Sequence, residues 1–260
     1  MNKVDNWQLG DLQPAYVLHS RPLRNTSIIA DVFSMHTGRL SVCIKGARKT
    51  QGRKPAKQHL IQPFLPLRMS FTGHSGRLFV QQMETVGAPM MLQHTALYSA
   101  MYMNELLLRL LAVYDPHPHL FAFYQTGLQR LQHVDDIEPG LREFENYLMD
   151  ELGYRVDLSR DYLTGEAIKA HAYYVLQPLQ GLSMVLQDAP LRMKQIPGHV
   201  LLELATPDLA SKQARQVSKY IARTNLARLL GNKPLKTREL FHKMQYQTKP
   251  DNKVLAAPTL

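Results

Sequence analysis

Arg39-Leu40-Ser41-Val42-Cys43-Ile44-Lys45-Gly46-Ala47-Arg48-Lys49-Thr50-Gln51-Gly52-Arg53-Lys54-Pro55-Ala56-Lys57 begins as a strand and ends as a loop. Leu40, Val42 and Ile44 alternate with Arg39, Ser41, Cys43 and Lys45, the period-two pattern of a half-buried strand. From Lys45 to Lys57 there are six Lys or Arg and no Asp or Glu. Gly46, Gly52 and Pro55 argue against a long helix there. A strand that delivers a cationic loop suits a polyanion better than a small metabolite. The plain alternative is a solvated loop with no partner.

Working outward, Ala15–His19 reads as a strand that Arg21-Pro22 ends, since Pro cannot donate to a ladder. Ser27–Phe33 is a second strand, and His36-Thr37-Gly38 turns it into the Arg39 strand as a hairpin. Pro63–Phe71 and Arg77–Met83 give a fourth and a fifth. Five short strands within the first eighty-odd residues, without a helical interval, predict a small barrel. An oligonucleotide-binding (OB) fold fits this, with an SH3-like barrel close behind on strand count. Base stacking would have to come from strand aromatics such as Tyr16 or Phe33, because the loop has none.

From Leu92 the period becomes helical. Residues 95–113 are apolar almost all round, as a central helix would be, and Glu105 and Arg109 stand at i, i+4. Asp115-Pro116-His117-Pro118-His119 breaks it; Leu120, Tyr124, Leu128 and Leu131 mark a second helix. Leu141, Phe144, Leu148 and Leu152 stripe a third that Gly153 stops, with Arg142, Glu143, Glu145 and Asp150 off the stripe. Residues 154–198 are punctuated by Pro and Gly and predict an irregular subdomain, with a strand near Ala172–Leu176. Thr206-Pro207 reads as cap and first residue of a further helix. Its core face is Ala210, Ala214, Val217 and Ile221, and Gly231 is its stop. Lys233–Phe241 reads as a basic connector. The fold class is therefore α+β: a loose segment 1–13, a five-stranded OB barrel over 14–84, a mainly helical domain over 85–244, and a disordered tail over 245–260.

The chain has 260 residues, a net charge of +10 and a pI near 9.7. Residues 1–80 carry 12 basic and 3 acidic side chains, residues 81–180 carry 6 and 13, and residues 181–260 carry 13 and 5. Two basic lobes thus flank an acidic middle, which favours an anionic partner. The single cysteine, Cys43, excludes an internal disulfide and a thiolate zinc cage and agrees with a reducing cytosol. No apolar run marks a secretory signal or a membrane span.

Motifs for bond-making chemistry are missing. Ala47-Arg48-Lys49-Thr50 lacks the glycines of a phosphate loop, and there is no His-Glu-x-x-His or Gly-x-Ser-x-Gly. His117 with His119 could hold a metal but reads more simply as a solvated turn. Asp135 with Asp136 could be an acid/base pair but reads more simply as a helix start. Cys43 beside Lys45 could be a reactive thiol but reads more simply as structural. The expectation is a non-enzyme without a metal or other cofactor.

One ordered set of motifs resembles the RecO family of bacterial recombination mediators and DNA repair proteins. It comprises Ala15-Tyr16-Val17-Leu18-His19-Ser20-Arg21-Pro22, Gly38-Arg39, Lys45-Gly46-Ala47-Arg48, Gln62-Pro63-Phe64, Leu97-Tyr98-Ser99, Asn104-Glu105-Leu106-Leu107, Leu152-Gly153-Tyr154 and Lys233-Pro234-Leu235-Lys236-Thr237-Arg238-Glu239-Leu240-Phe241. The set spans residues 14–243. The resemblance implies an OB fold followed by a helical domain. It implies binding of single- and double-stranded DNA, annealing of complementary strands, and help in loading the RecA recombinase. The implied partners are RecR and the acidic C-terminal peptide of single-stranded DNA-binding protein, in the cytoplasm or on the nucleoid. Many members carry a four-cysteine zinc site in the irregular part; residues 154–198 have no Cys, so that site is absent.

The candidate phosphate contacts of the barrel are Arg21, Arg39, Lys45, Arg48, Lys49, Arg53, Lys54 and Lys57. A second basic surface, for another strand or an acidic peptide, comprises Lys212, Arg215, Lys219, Arg223, Lys233, Lys236 and Arg238. The competing reading is a scaffold whose basic faces bind acidic peptides, with DNA contact incidental.

Overall fold

The computed structural model describes residues 10–48, 57–74, 76–133, 136–185, 194–205 and 211–247. Five strands come first: β1 (Gln13–Leu23), β2 (Ser27–Ser34), β3 (Gly38–Ile44), β4 (Leu67–His74) and β5 (Arg77–Thr85). They close as β1-β2-β3-β5-β4, with β4 returning to β1 and β3 parallel to β5. This is an OB-like barrel. The alternating residues of the opening stretch fill it: Leu40, Val42 and Ile44 point in, against Val17, Ala30, Val32, Met69 and Phe71. Alternation puts every second side chain inside, and a five-stranded barrel has room only for a packed core.

β1 does not stop at Arg21-Pro22. It runs on to Leu23, with Pro22 opposite Ile28 of β2. Its pairing with β4 covers only Gln13–Ala15, so Pro22 sits where the strand is a free edge, and edges tolerate a missing N–H. The fourth strand begins at Leu67 and not at Pro63; before it, Phe64 holds a positive φ of 66° that no strand adopts.

The helices follow. They are α1 (His94–Leu110), α2 (Pro118–Arg130), α3 (Ile137–Glu151), α4 (Gly198–Leu204), α5 (Lys212–Leu230) and α6 (Lys236–Gln247). No helix among the described residues is long and apolar enough to cross a membrane. α1 is central, with Met103, Leu106 and Leu107 buried in one cluster with Leu120, Tyr124, Leu128, Phe144 and Leu148. That cluster also takes in Tyr16, Leu18 and Phe33 from the outer face of the barrel. The Tyr16 ring lies 5.6 Å from Phe121 and 5.3 Å from Tyr124, and Phe33 lies 5.3 Å from Phe121. The aromatics expected to meet bases therefore join the barrel to the helices.

Polar contacts fix that junction. Arg39 Nε donates to the Leu111 carbonyl at 2.9 Å, and the Tyr114 N–H donates to the Arg39 carbonyl at 2.9 Å. Asn104 Nδ2 donates to the Leu18 carbonyl at 3.1 Å. Gly38 has φ +74°, and a Cβ there would stand 2.0 Å from the Asp115 carbonyl oxygen, so the approach of the two segments requires glycine.

Three further expectations change. Residues within 154–198 form a small antiparallel sheet, ordered β7-β6-β8, from β6 (Tyr173–Gln177), β7 (Gly181–Met184) and β8 (Gln195–Pro197). Its apolar face, with Tyr174, Leu176, Leu182 and Ile196, packs on Val200 of α4 and on Ala214, Val217 and Ile221 of α5. The cap of α5 is Ser211, whose side chain accepts the Ala214 N–H at 2.9 Å; Thr206, Pro207 and Ala210 lie outside the described residues. The basic connector is largely helix, because α6 starts at Lys236 and continues to Gln247, past the expected start of the tail. Residues 248–260 lie outside the described residues.

Candidate nucleic-acid interface

The outer face of β3 and β5 carries the first group of cations. Lys45 is exposed and its Nζ lies 4.1 Å from the centre of the half-buried Phe79 ring on β5, a cation–π contact. Arg77 shares that face two residues before Phe79 and is exposed. Arg48 is exposed, and its N–H donates to the Thr26 carbonyl at 3.0 Å. That bond sets the start of the cationic loop against the β1–β2 turn, where Arg24 holds a positive φ of 52° and is exposed. Arg21 on β1 and Lys57 in a single 3-10 turn are exposed as well. Among the described residues, none of Arg21, Lys45, Arg48 and Lys57 is paired with a carboxylate. Lys49, Arg53 and Lys54 lie outside the described residues. Arg39 differs from the rest: it is half-buried and donates into the domain junction.

Arg24, Arg77 and Phe79 escaped the sequence reading. A linear charge run draws attention to consecutive residues, while Arg24 stands in the β1–β2 turn and Arg77 at the start of β5, each far from that run in sequence. The available signal was the turn position of Arg24 and the alternation of Arg77 and Phe79 about Leu78.

The second group lies on α5 and α6. Lys212, Arg215 and Arg223 are exposed, and Lys219 is half-buried, on the side away from Ala214, Val217 and Ile221. The acidic start of α3 meets part of this stripe. Arg215 lies 3.9 Å from Asp136, and Lys219 Nζ donates to Glu138 at 2.5 Å. The Lys219 hydrogen bond holds the Glu138 carboxyl below the usual carboxylate range. Asp136 also caps α3, accepting the Glu138 N–H at 3.3 Å, so it starts a helix; Asp135 lies outside the described residues. Lys233, Lys236 and Arg238 are exposed around the start of α6.

Beneath this surface, Arg142 and Glu145 are buried, contrary to their expected place away from the apolar stripe. Arg142 Nη1 donates to Glu145, and Tyr102 of α1 donates to the other Glu145 oxygen at 2.6 Å. Burial pushes the Glu145 carboxyl up, and Arg142 and Tyr102 oppose that shift. Burial, then the Glu145 charge, raises the Tyr102 hydroxyl well above its ordinary value. His117 lies 3.0 Å from Glu151 and 3.5 Å from Asp115, so it ties the α1–α2 segment to the end of α3. Cys43 is half-buried on β3.

Two family models match this chain: "Recombination protein O N terminal" over residues 11–89 and "Recombination protein O C terminal" over residues 91–239. The chain is 38% identical over 235 residues to the "DNA repair protein RecO" of Pseudoalteromonas atlantica, covering 90% of this chain and 95% of that protein. It is 41% identical over 233 residues to the protein of the same name from Marinobacter nauticus, covering 88% and 93%. For that of Pseudomonas aeruginosa the identity is 40% over 229 residues, covering 88% and 94%. With an OB-like barrel, a helical region packed on it and matches along nearly the whole length, the chain belongs to the RecO family of DNA repair proteins.

Proposed function

We propose that this chain is a recombination mediator that binds single- and double-stranded DNA through its phosphates. In this role it anneals complementary strands coated with single-stranded DNA-binding protein and, together with RecR, helps load RecA. The observation that carries the reading is the set of exposed cations on the barrel without a carboxylate partner among the described residues: Arg21, Lys45, Arg48 and Lys57. Arg24 and Arg77 extend it, Lys49, Arg53 and Lys54 add charge between Arg48 and Lys57 in the sequence, and Phe79 offers a ring for a base. Arg39 is left out because the junction holds it.

A second surface on α5 and α6 lets one body hold two strands, which is what annealing requires. Lys212, Arg223, Lys233, Lys236 and Arg238, which have no carboxylate partner among the described residues, supply its charge. Such contacts carry little base information, so binding is expected to be nearly sequence-independent. Arg215 and Lys219 are already paired with Asp136 and Glu138, so a companion role for the same surface, binding the acidic C-terminal peptide of single-stranded DNA-binding protein, falls to the other cations of α5 and α6. The work is that of a cytoplasmic protein that joins the nucleoid when bound to DNA.

The test is a fluorescence-anisotropy titration of DNA at increasing salt. With about six phosphates engaged, affinity falls on the order of a thousandfold between about 50 and 200 mM salt. Charge reversal at Lys45 and Arg48 lowers both the affinity and the slope and slows annealing of precoated complementary strands. A salt-insensitive affinity would be incompatible with the proposal.

A further inference from the structure

A cleft of about 670 Å³ opens between α2 and α3, larger than the one of about 300 Å³ that α1, α3, α5 and α6 line. Its size is ordinary for a binding site between helices. Phe123 of α2 and Tyr147 of α3 stack in its wall, with centroids 4.4 Å apart and planes within 1° of parallel. The buried Met103 of α1 lines it too. Gly127 of α2 and Gly140 of α3 keep it open. A Cβ at Gly127 would stand 3.1 Å from Met103 Cε, and a Cβ at Gly140 would meet nothing within 4 Å.

The rim carries charge. Arg130 of α2 donates to Glu143 of α3 at 3.0 Å. The two are 59% and 52% exposed, so theirs is a weak surface pair that another cation can replace. The surroundings are acidic: from His94 to Glu151 the chain has nine Asp or Glu against three Arg and no Lys. Of those three, Arg142 is buried against Glu145, and Arg109 is held by carbonyls at the end of α5. Arg130 is the one at the rim.

These features sort the occupants. Phosphates and acidic metabolites meet repelling carboxylates. Among the described residues, no group of three or more His, Cys, Asp or Glu could hold a metal ion. A wholly apolar segment fills the cleft but leaves Glu143 unused. A segment with an aliphatic or aromatic side chain beside Arg or Lys uses both parts. Its apolar group enters next to Phe123 and Tyr147, and its cation takes the place at Glu143 that Arg130 shows to accept a guanidinium.

We propose that the α2–α3 cleft docks a basic amphipathic segment of a partner protein. This goes beyond DNA binding and does not depend on it. The barrel and α5 offer cations to polyanions, whereas α2 and α3 offer carboxylates and an apolar cleft to a protein.

The experiment uses the full chain and a displayed library of random peptides, selected on the parent and on Gly140→Leu. The leucine fills the cleft, and replacing a helical glycine by leucine favours the helix. Peptides retained by the parent and released by Gly140→Leu are expected to carry Arg or Lys beside an aliphatic or aromatic residue. A net charge of +10 gives basic peptides little to bind elsewhere on the molecule, so their recovery points to its acidic part. For one such peptide, Glu143→Gln is expected to lower the affinity about threefold in anisotropy titrations, the scale of an exposed ion pair. Neither variant changes the salt slope of DNA binding. Identical selections on the parent and on Gly140→Leu overturn the site. Released peptides without a cation, or an affinity unchanged in Glu143→Gln, overturn the basic partner in favour of an apolar one. Self-association of the unaltered chain that Gly140→Leu abolishes overturns it in favour of a second copy. DNA affinity lowered in both variants overturns it in favour of nucleic acid.

Discussion

Asp161 accepts three backbone N–H bonds, from Met184 at 2.6 Å, Leu163 at 2.8 Å and Thr164 at 3.1 Å, and it is buried. Burial pushes its carboxyl up, but the donors of Met184, Thr164 and Leu163 outweigh burial and hold it below the ordinary range. A depressed folded value means that the contribution to stability is complete above the unfolded value, about 3.9. It is lost as pH falls through the folded value. Asp161→Asn places an amide donor against one of these N–H groups. The expected cost is about 1–3 kcal/mol at neutral pH, with a shallower loss of stability in acid than the parent shows. Urea unfolding followed from neutral pH into acid measures both. Arg142 and Glu145 make the same point about single residues. Hydropathy alone marks each as solvated, whereas Tyr102 and the packing of α1 on α3 bring them inside as a hydrogen-bonded pair. The signal in the sequence was their i, i+3 spacing on either side of Phe144, and it did not reveal the Tyr102 that meets them.

Elements are held by charges borrowed from elsewhere in the chain. Glu105 and Arg109 do lie 3.9 Å apart as the i, i+4 spacing predicts. Their larger role is across the bundle. Glu105 accepts the N–H groups of Lys236 and Thr237, both at 2.9 Å, and the Thr237 hydroxyl at 2.7 Å, so it caps α6 from α1. Arg109 donates to the carbonyls of Leu230, Lys233 and Pro234, at the end of α5 and in the turn that follows. Glu105→Ala is expected to cost about 1–2 kcal/mol, the scale of a lost cap. Hydrogen exchange at the amides of Lys236 and Thr237 should accelerate well before that of α1. This explains why Lys233–Phe241 looked like a connector: the cap that makes it a helix sits on another helix, more than a hundred residues upstream. The sheet at β6–β8 was obscure for a related reason. Its strands are short, and its apolar face is completed by α4 and α5. Where the family resemblance implies a four-cysteine zinc clasp in many members, this chain has an apolar cluster and the Asp161 hub.

For the whole molecule, what matters is that barrel and helices form one packed unit. Tyr16, Leu18 and Phe33 are buried in the helical core, and the segment after α1 runs beside β3 through Arg39, Val113 and Tyr114. Two cationic surfaces joined this way stand at a fixed separation, which the proposed holding of two strands would use. The unlike situations of Arg39 and Arg48 give a test at this scale. Arg39→Gln is expected to lower stability by about 1–2 kcal/mol through the lost junction bond and to leave the salt slope of DNA binding near the parent's. Arg48→Gln is expected to do the reverse, reducing the slope by about one phosphate with little change in stability. Paired urea melts and anisotropy titrations separate the two effects.

The barrel, the helical region after it, the central place of α1, the apolar stripes of α2 and α3, the Ala214, Val217 and Ile221 face of α5, and the two-lobed charge were all legible in the linear order of residues. Period-two and period-3.6 alternation and local charge density are properties of neighbours in sequence. Which cations lack a carboxylate partner among the described residues, which acids are buried, which strand aromatics became an internal seam, and that four helices line one open cleft were decided by tertiary structure. Each depends on what a side chain meets after residues far apart in sequence have been brought together, and local pattern carries no record of that meeting.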